Sequence, residues 1–475
     1  MSAAPAKFLQ GSIMRHVAVM AATGSIGLVA VFLVDLLNLF YISLLGEAEL
    51  AAAIGYAGTM LFFTTSVALG IMIAGSAVVS RALGADNRED ARALATIAVL
   101  YMVLVCVVLT AISLPLIRPL LSLLGAHGRT LDIADRFLVV VTLSTPLLGI
   151  GMVTSGLLRA TGDAGRAMWV TLGGGLLTAV LDPVLILALG LGVDGAAIVS
   201  VVSRLFMALY GLHACHRRHN LFRRPTLAMW HRHAGPISAI AIPAILTNVA
   251  TPVGNAYVTA KLAPFGDGAV AAFAVIGRVI PVAFGPLFAL TGAVGPIFGQ
   301  NFGAGLFDRL RTTLRDSLIL TLLYVCAVWV LLALLRNSIA SVFGLTPEGQ
   351  QIVAFFCLVT AGSFIFLGGL FVANAAFNNL GAPLLSTFFN WGRATVGTIP
   401  LVWIGSDLMG ANGVILGQAL GAVAFGIAAM IFAFRVIEKI AAAPPPVGDR
   451  GPAPHLSTVE LPPLSSPQDA TAIEP

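Results

Sequence analysis

Long apolar runs alternate along this chain with short breaks of Gly, Pro and charged residues. Read against those breaks, spans fall near residues 16–44, 50–79, 92–116, 132–157, 166–190 and 194–215, and a second set near 235–262, 269–298, 313–335, 350–377, 384–405 and 411–435. Each run can cross a bilayer as a helix at about 20 residues per crossing, and none alternates with the period of a barrel strand. The pattern predicts an all-α integral membrane protein with 12 transmembrane helices.

The two sets are related. Gly46 and Ala52 recur as Gly266 and Ala272, Gly84-Ala85 as Gly303-Ala304, Gly125 as Gly344, Gly162 as Gly381, and Gly195 of GVDGAAI as Gly413 of GANGVIL, at offsets of 220, 219 and 218 residues. A nearly constant offset at separated places marks two copies of one six-helix unit. Six crossings return the chain to its starting side, so the copies relate as parallel repeats about an axis along the membrane normal.

Composition agrees and adds an orientation. Hydrophobic residues make up 58% of the 475 residues and charged residues only 10%, against roughly 25% charged in a soluble domain. The 50 glycines suit close helix packing. The start, MSAAPAKFLQGSIMRHV, shows no short apolar core followed by a cleavage site, so the first helix is expected to remain. Lys and Arg crowd one side, at Arg81, Arg88 and Arg92, at Arg217, Arg218, Arg223 and Arg224, and at Arg309, Arg311 and Arg315. The other side has only Arg118, Arg129, Arg136, Lys261 and Arg336. The positive-inside rule then places both termini in the cytoplasm of a multi-pass inner (plasma) membrane protein.

The same rule accounts for the net charge of +5 without nucleic acid as a partner. The expected organisation is a cytoplasmic segment 1–15, a first six-helix unit 16–216, a basic linker 217–234, a second unit 235–436 and a disordered Pro-rich cytoplasmic tail 437–475. The histidines between His213 and His233 invite a metal reading, but a solvated basic linker explains them better. Cys106, Cys215, Cys326 and Cys357 have no paired spacing, and no disulfide is expected.

Two acids sit well inside predicted spans, Asp35 in LVDLLNLFYISLLG and Asp182 in TAVLDPVLI. A carboxylate in hydrocarbon is costly and therefore a functional candidate. Asp35 precedes Gly46 by eleven residues and Asp182 precedes Gly190 by eight, so both lie about 12 to 17 Å below the outer surface. Asn38 and Thr178 stand three and four residues from these acids, close enough to share a helix face with them, and Ser200 reaches a similar depth in the sixth span. Arg204 is an alternative, purely structural partner for either acid. Arg278 and Arg393 lie inside the second unit, as cavity charges or as interhelical bonds to carbonyls. Phe40, Tyr41, Tyr257 and Phe284 could contact a flat cation, although packing is the commoner role of such rings.

The segments GLLRATGDAGRAM, AVLDPVLILALGLGVDGAAIVSVVSR, AVVSRALGADNREDAR, GPIFGQNFGAGLFDRLR and NAAFNNLGAP resemble the multidrug and toxic compound extrusion (MATE) transporters, over essentially Arg15 to Arg435. LDP in the fifth span, and the lack of a carboxylate in ILTNVATPVGNAY and GGLFVANAAFNNL, bring the chain nearest the DinF-like branch. The resemblance implies two six-helix lobes in a V around a central cavity, exporting amphipathic, often cationic compounds against inward flow of H⁺ or Na⁺. It also implies an ion site at Asp35, Asp182 and Ser200, with Thr178 standing where the branch has an Asn. That replacement leaves the ion open, because hard cations accept oxygen ligands of all these kinds while a proton needs only a suitable carboxylate.

The expectation is therefore a secondary antiporter and not an enzyme. It would be a monomer in the lipid bilayer without a cofactor, coupled to H⁺ or to Na⁺ held at Asp35 and Asp182. No GxxxxGK[ST] sequence is present to bind ATP. A lipid-linked saccharide flippase of the same superfamily is a related alternative, supported only by Arg278 and Arg393. An intramembrane aspartyl protease would use the two acids as a dyad, but it leaves the duplication unexplained.

Overall fold

The computed structural model describes residues 6–43 and 48–442, without the side chains of 31, 32, 35–40, 42, 43, 48–52 and 59. The described chain is helical throughout, apart from short connections. The first half consists of α1 (Ile13–Ser43), α2 (Ala48–Gly84), α3 (Arg88–Leu123), α4 (Gly128–Leu143), α5 (Thr145–Ala160), α6 (Ala164–Asp182) and α7 (Gly192–His213). The second consists of α8 (Leu227–Leu262), α9 (Asp267–Gly303), α10 (Phe307–Val342), α11 (Pro347–Leu358), α12 (Phe364–Asn379), α13 (Pro383–Gly392) and α14 (Ile399–Ala442).

Ten segments are long and apolar enough to cross a membrane, and α4 with α5, bent by 49°, makes an eleventh. A break at Gly410 (φ 60°, ψ −139°) divides α14, so that the segment from α13 onward crosses twice. Twelve crossings result, in two lobes of seven helices, α1–α7 and α8–α14. The linker is shorter than its composition suggests: a π-helical turn carries the first lobe to Arg218, and α8 begins at Leu227. The expected tail beyond Ala442 lies outside the described residues.

The turns repeat as the sequence repeats. Left-handed backbone occurs at Asp86 and Gly305, Gly125 and Gly344, and Gly162 and Gly381, each pair 219 residues apart. The kink between α4 and α5 at Ser144 has its counterpart in the 3-10 turn Thr360–Ser363 between α11 and α12. Arg204 belongs to the first of these kinks. Its guanidinium donates to the Val141 carbonyl at 2.6 Å and the Ser144 hydroxyl at 2.9 Å, supplying donors to backbone that lipid could not satisfy.

The lobes meet along α1, α2, α8 and α9. At the Arg-rich end, Gly84 of α2 packs on the Gln300 carbonyl and Gly303 of α9 on the Arg81 carbonyl. Gly84 and Gly303 are equivalent in the two repeats, and so are Arg81 and Gln300. Side chains repeat the exchange: Arg81 donates to the carbonyls of Asn379 and Asn378, both at 2.8 Å, and Gln300 Nε2 donates to that of Ala160 at 2.7 Å. Ala160 and Asn379 are again equivalents. The clasp therefore lies on the pseudo-two-fold axis, where only glycine lets two backbones approach so closely.

The N-terminal residues strap it. Phe8 is buried, its N–H donates to Gln300 Oε1 at 2.8 Å, and its carbonyl accepts from Arg309 at 2.9 Å, while Lys7 donates to the Gly162 carbonyl at 2.8 Å. Hydrogen bonds between the lobes cluster in this Arg-rich half. Toward the opposite end the lobes separate, leaving Val253 and Val282 exposed.

Candidate functional site

α1 runs between α6 of its own lobe and α9 of the other. Thr171 and Met168 of α6 lie against Gly27, and Val34 lies 3.4 Å from a Cβ placed on Gly175. Carried along these parallel helices, this register sets Asn38 level with Asp182 and Asp35 close to the level of Thr178. α7 runs antiparallel to α6, with Ser203 donating to the Gly174 carbonyl at 2.8 Å and Gly195 close to the Leu185 carbonyl. Ser200 consequently stands level with Thr178, and Asp182 lies about one turn nearer the opposite end. Five of the sequence candidates thus fall within two adjacent levels of one lobe. The side chains of Asp35, Asn38 and Phe40 lie outside the described residues.

Asp182 has no exposed surface and is the last residue of α6. The six residues that follow, Pro183–Ala188, form a π-helix. Pro183 has no N–H to continue the α-helical ladder and its ring crowds the preceding turn, so the wider π turn passes the proline without ending the span. The carboxyl of Asp182 therefore sits at the junction of two helical geometries, and π turns are frequent at functional sites. The second lobe has Leu401 at the equivalent position, in the regular start of α14.

The hydroxyls already use their hydrogens. Thr178 donates to the Gly174 carbonyl at 3.1 Å and Ser200 to the Ala196 carbonyl at 2.9 Å. What they offer a ligand is oxygen lone pairs, which suit a small cation or a protonated carboxyl. Among the described residues, no group of three His, Cys, Asp or Glu side chains is arranged to hold a metal.

The candidate cavity residues of the second lobe divide. Phe284 is fully buried, stacked on Phe364 with centroids 4.0 Å apart, and belongs to the lobe core rather than to a cavity. Arg393 is 6% exposed and donates to the Thr251 hydroxyl at 2.8 Å; it joins α8 to a π-helical turn, Arg393–Gly397, inside the lobe. Tyr257 is partly buried, its hydroxyl 3.4 Å from the Ile399 carbonyl, and Tyr41 packs against the first lobe's core. Arg278 alone is exposed, with no hydrogen bond or ion pair among the described residues. Sequence reasoning missed Arg81, Gln300 and Phe8. Their signal was present in the paired strings VVSRALGA and IFGQNFGA, which align at 219 residues.

The motif GLLRATGDAGRAM builds a turn at the Arg-rich end. Asp163 caps α6 through the Arg166 N–H, contacts the Arg166 guanidinium, and lies 2.8 Å from His219 Nε2. Burial alone would push its carboxyl up; the bonds from His219 and Arg166, with the charge of Arg166, outweigh this and hold it well below the usual carboxylate range.

The MatE family pattern matches residues 25–184 and 243–404, one stretch in each lobe, the first including α6 and Asp182. The chain belongs to the MatE family. Its MatE relatives include an FAD transporter of Shewanella oneidensis, 30% identical over 89% of this chain and 95% of that protein. The multidrug export protein MepA of Staphylococcus haemolyticus is 25% identical over 91% and 96%. Among solved MatE folds, an outward-facing MATE transporter superposes with TM-score 0.86 at 20% identity, covering 93% of this chain and 99% of that one. A MOP superfamily transporter of Pyrococcus furiosus gives 0.87 at 20% identity, covering 93% and 100%. The protein is thus a multi-span membrane transporter of small molecules and not an enzyme, which removes the aspartyl-protease reading.

Proposed function

We propose that this MatE protein is a secondary antiporter that exports amphipathic compounds, cationic ones among them, as H⁺ or Na⁺ enters at Asp35 and Asp182. The observation that carries the reading is the fully buried Asp182 at the α-to-π junction, in the lobe whose partner has leucine there. A buried ionised carboxylate is costly unless hydrogen bonds, a cation or a proton compensate it, and taking up or losing an ion there would change the packing of α1, α6 and α7 together. Orientation by the positive-inside rule makes the clasped end cytoplasmic and the separated end outer. In that orientation the described conformation opens outward, and alternating access would transfer the closure from one end to the other.

Purified protein in liposomes, given pH and Na⁺ gradients separately against a fluorescent cationic dye, tests this. One gradient should drive dye movement, and Asp182→Asn should reduce driven transport at least tenfold while the protein remains folded and inserted. Failure of both gradients to move dye would remove ion-coupled dye antiport.

A second substrate class is favoured by one observation. The relative from Shewanella oneidensis is an FAD transporter matched along nearly its whole length, and Arg278 offers a phosphate a partner in the cleft. Transport of FAD but of no cationic dye in the same liposomes would replace the drug reading with a flavin nucleotide one.

A further inference from the structure

Arg278 is the charge that the ion site does not use. Its place on α9 is fixed by what the same stripe of that helix touches. Gly285 lies against Val29 of α1, Ala289 against Gly24 of α1, Gly292 against Arg159 of α5, Gly299 against Ser80 of α2, and Gly303 against Arg81. With Arg278 these positions follow at intervals of seven, four, three, seven and four residues, which is one face of a helix turned toward the first lobe. Arg278 is therefore aimed at the first lobe, and it is exposed because the lobes have parted there.

The contact between Gly24 and Ala289 supplies the register. Asp35 stands eleven residues beyond Gly24 toward the open end, and Arg278 stands eleven residues from Ala289 in the same direction. Eleven residues are three turns, about 16 Å, and return each helix to nearly the same face. Continuing the α1–α9 contact through those three turns would set the two positions opposite one another. Asp35 is the only acid in α1 and Arg278 the only base in α9.

We propose that Arg278 is the positioning residue that expels the coupling ion. When the open end closes, α1 and α9 zip further along their shared stripe and the guanidinium arrives at Asp35. There its charge weakens the carboxylate's hold on H⁺ or Na⁺, which leaves toward the opposite side. The carboxylate is neutralised in both conformations, by the ion when the cleft is open and by Arg278 when it is closed, so the site's affinity for the ion differs between the two. That difference lets ion binding and conformation influence each other. This role rests on the antiport reading with Asp35 as an ion site.

The test compares Arg278→Gln, Arg278→Lys, Asp35→Asn and the Asp35→Asn/Arg278→Gln double variant in liposomes, with rhodamine 6G as the transported probe. Arg278→Gln should lower kcat at least tenfold with KM within twofold, Arg278→Lys should recover most of the rate, and the double variant should be no slower than Asp35→Asn. A short thiol cross-linker should join cysteines placed at 35 and 278, in a protein otherwise free of cysteine, only when the outer side is closed. Full activity of Arg278→Gln beside an inactive Asp35→Asn overturns the role of Arg278 alone. Full activity of Asp35→Asn overturns the antiport reading at Asp35 on which it rests.

Discussion

Asp163 shows how one side chain can hold a loop whose neighbours are all short. It caps α6, contacts Arg166 and reaches His219, tying the turn after α5 to the end of the first lobe. Its depressed carboxyl fixes the sign of the pH dependence. The ionised form is favoured by folding, so the contribution is complete above the ordinary carboxylate value, about pH 4, and is lost as pH falls through the lower folded value. Asp163→Asn should lower the melting temperature in detergent at neutral pH, by the equivalent of about 1 to 3 kcal/mol. Its deficit relative to the parent should shrink below pH 4; a constant deficit would place the effect in capping alone. This turn was legible as a motif because its glycine and aspartate lie side by side. The partnership with His219, 56 residues away, was not, since single-sequence reading cannot pair distant loops.

At the scale of helices, the hydrophobic pattern located every crossing because lipid demands an uninterrupted apolar run. It did not locate the breaks within them. Ser144 and Thr360–Ser363 interrupt their spans with only a few small polar residues, too short a dip to end an apolar run, and the π turns at Pro183–Ala188 and Arg393–Gly397 alter only the hydrogen-bond ladder. Depth survives such breaks, which is why Asp35, Thr178, Asp182 and Ser200 could be set at similar levels from the sequence. Facing is harder to read: Phe284, a candidate for contact with a flat cation, turns into the lobe core, and of the two roles open to Arg393 the buried bond between helices is the one observed. The π turn after Asp182 carries its own expectation. Pro183→Ala restores the missing donor and favours an ordinary α turn, which would rotate the helix beyond Asp182 by tens of degrees per residue inserted or removed. Gradient-driven transport should fall severalfold with expression and insertion intact. Unchanged transport would make the π turn a consequence of proline with no functional weight.

For the molecule as a whole, the doubled sequence announced the doubled scaffold, and the acids of only one repeat announced its asymmetry. What the sequence concealed was where the repeats touch. Glycines recur at many equivalent positions, but among the described residues only the pair Gly84 and Gly303 meets across the axis, each under a carbonyl of the opposite repeat. A side chain at either position collides with backbone and has nowhere to turn. Gly303→Val should prevent the Arg-rich end from closing, reducing transport at least tenfold and exposing a cysteine placed at Ser80 to labelling from that side. Gly305→Ala, two residues on in open space but at φ 70°, controls for simple damage to the turn and should cost stability of about 1 kcal/mol rather than transport.

The contact at Gly84 and Gly303 also has a mechanical meaning. It sits at one end of α2 and α9, each 37 residues long, or about 55 Å, so it acts as a fulcrum placed at the tip of two levers. A tilt of a few degrees there moves the opposite tips by several ångströms, while the glycine surfaces themselves slide very little. The tight joint needs to be only small, and the wide displacement occurs at the far end of the levers. A bulkier joint would push the levers apart at their base and shorten the useful stroke, which gives the smallest residue at the axis a mechanical as well as a steric reason to be there.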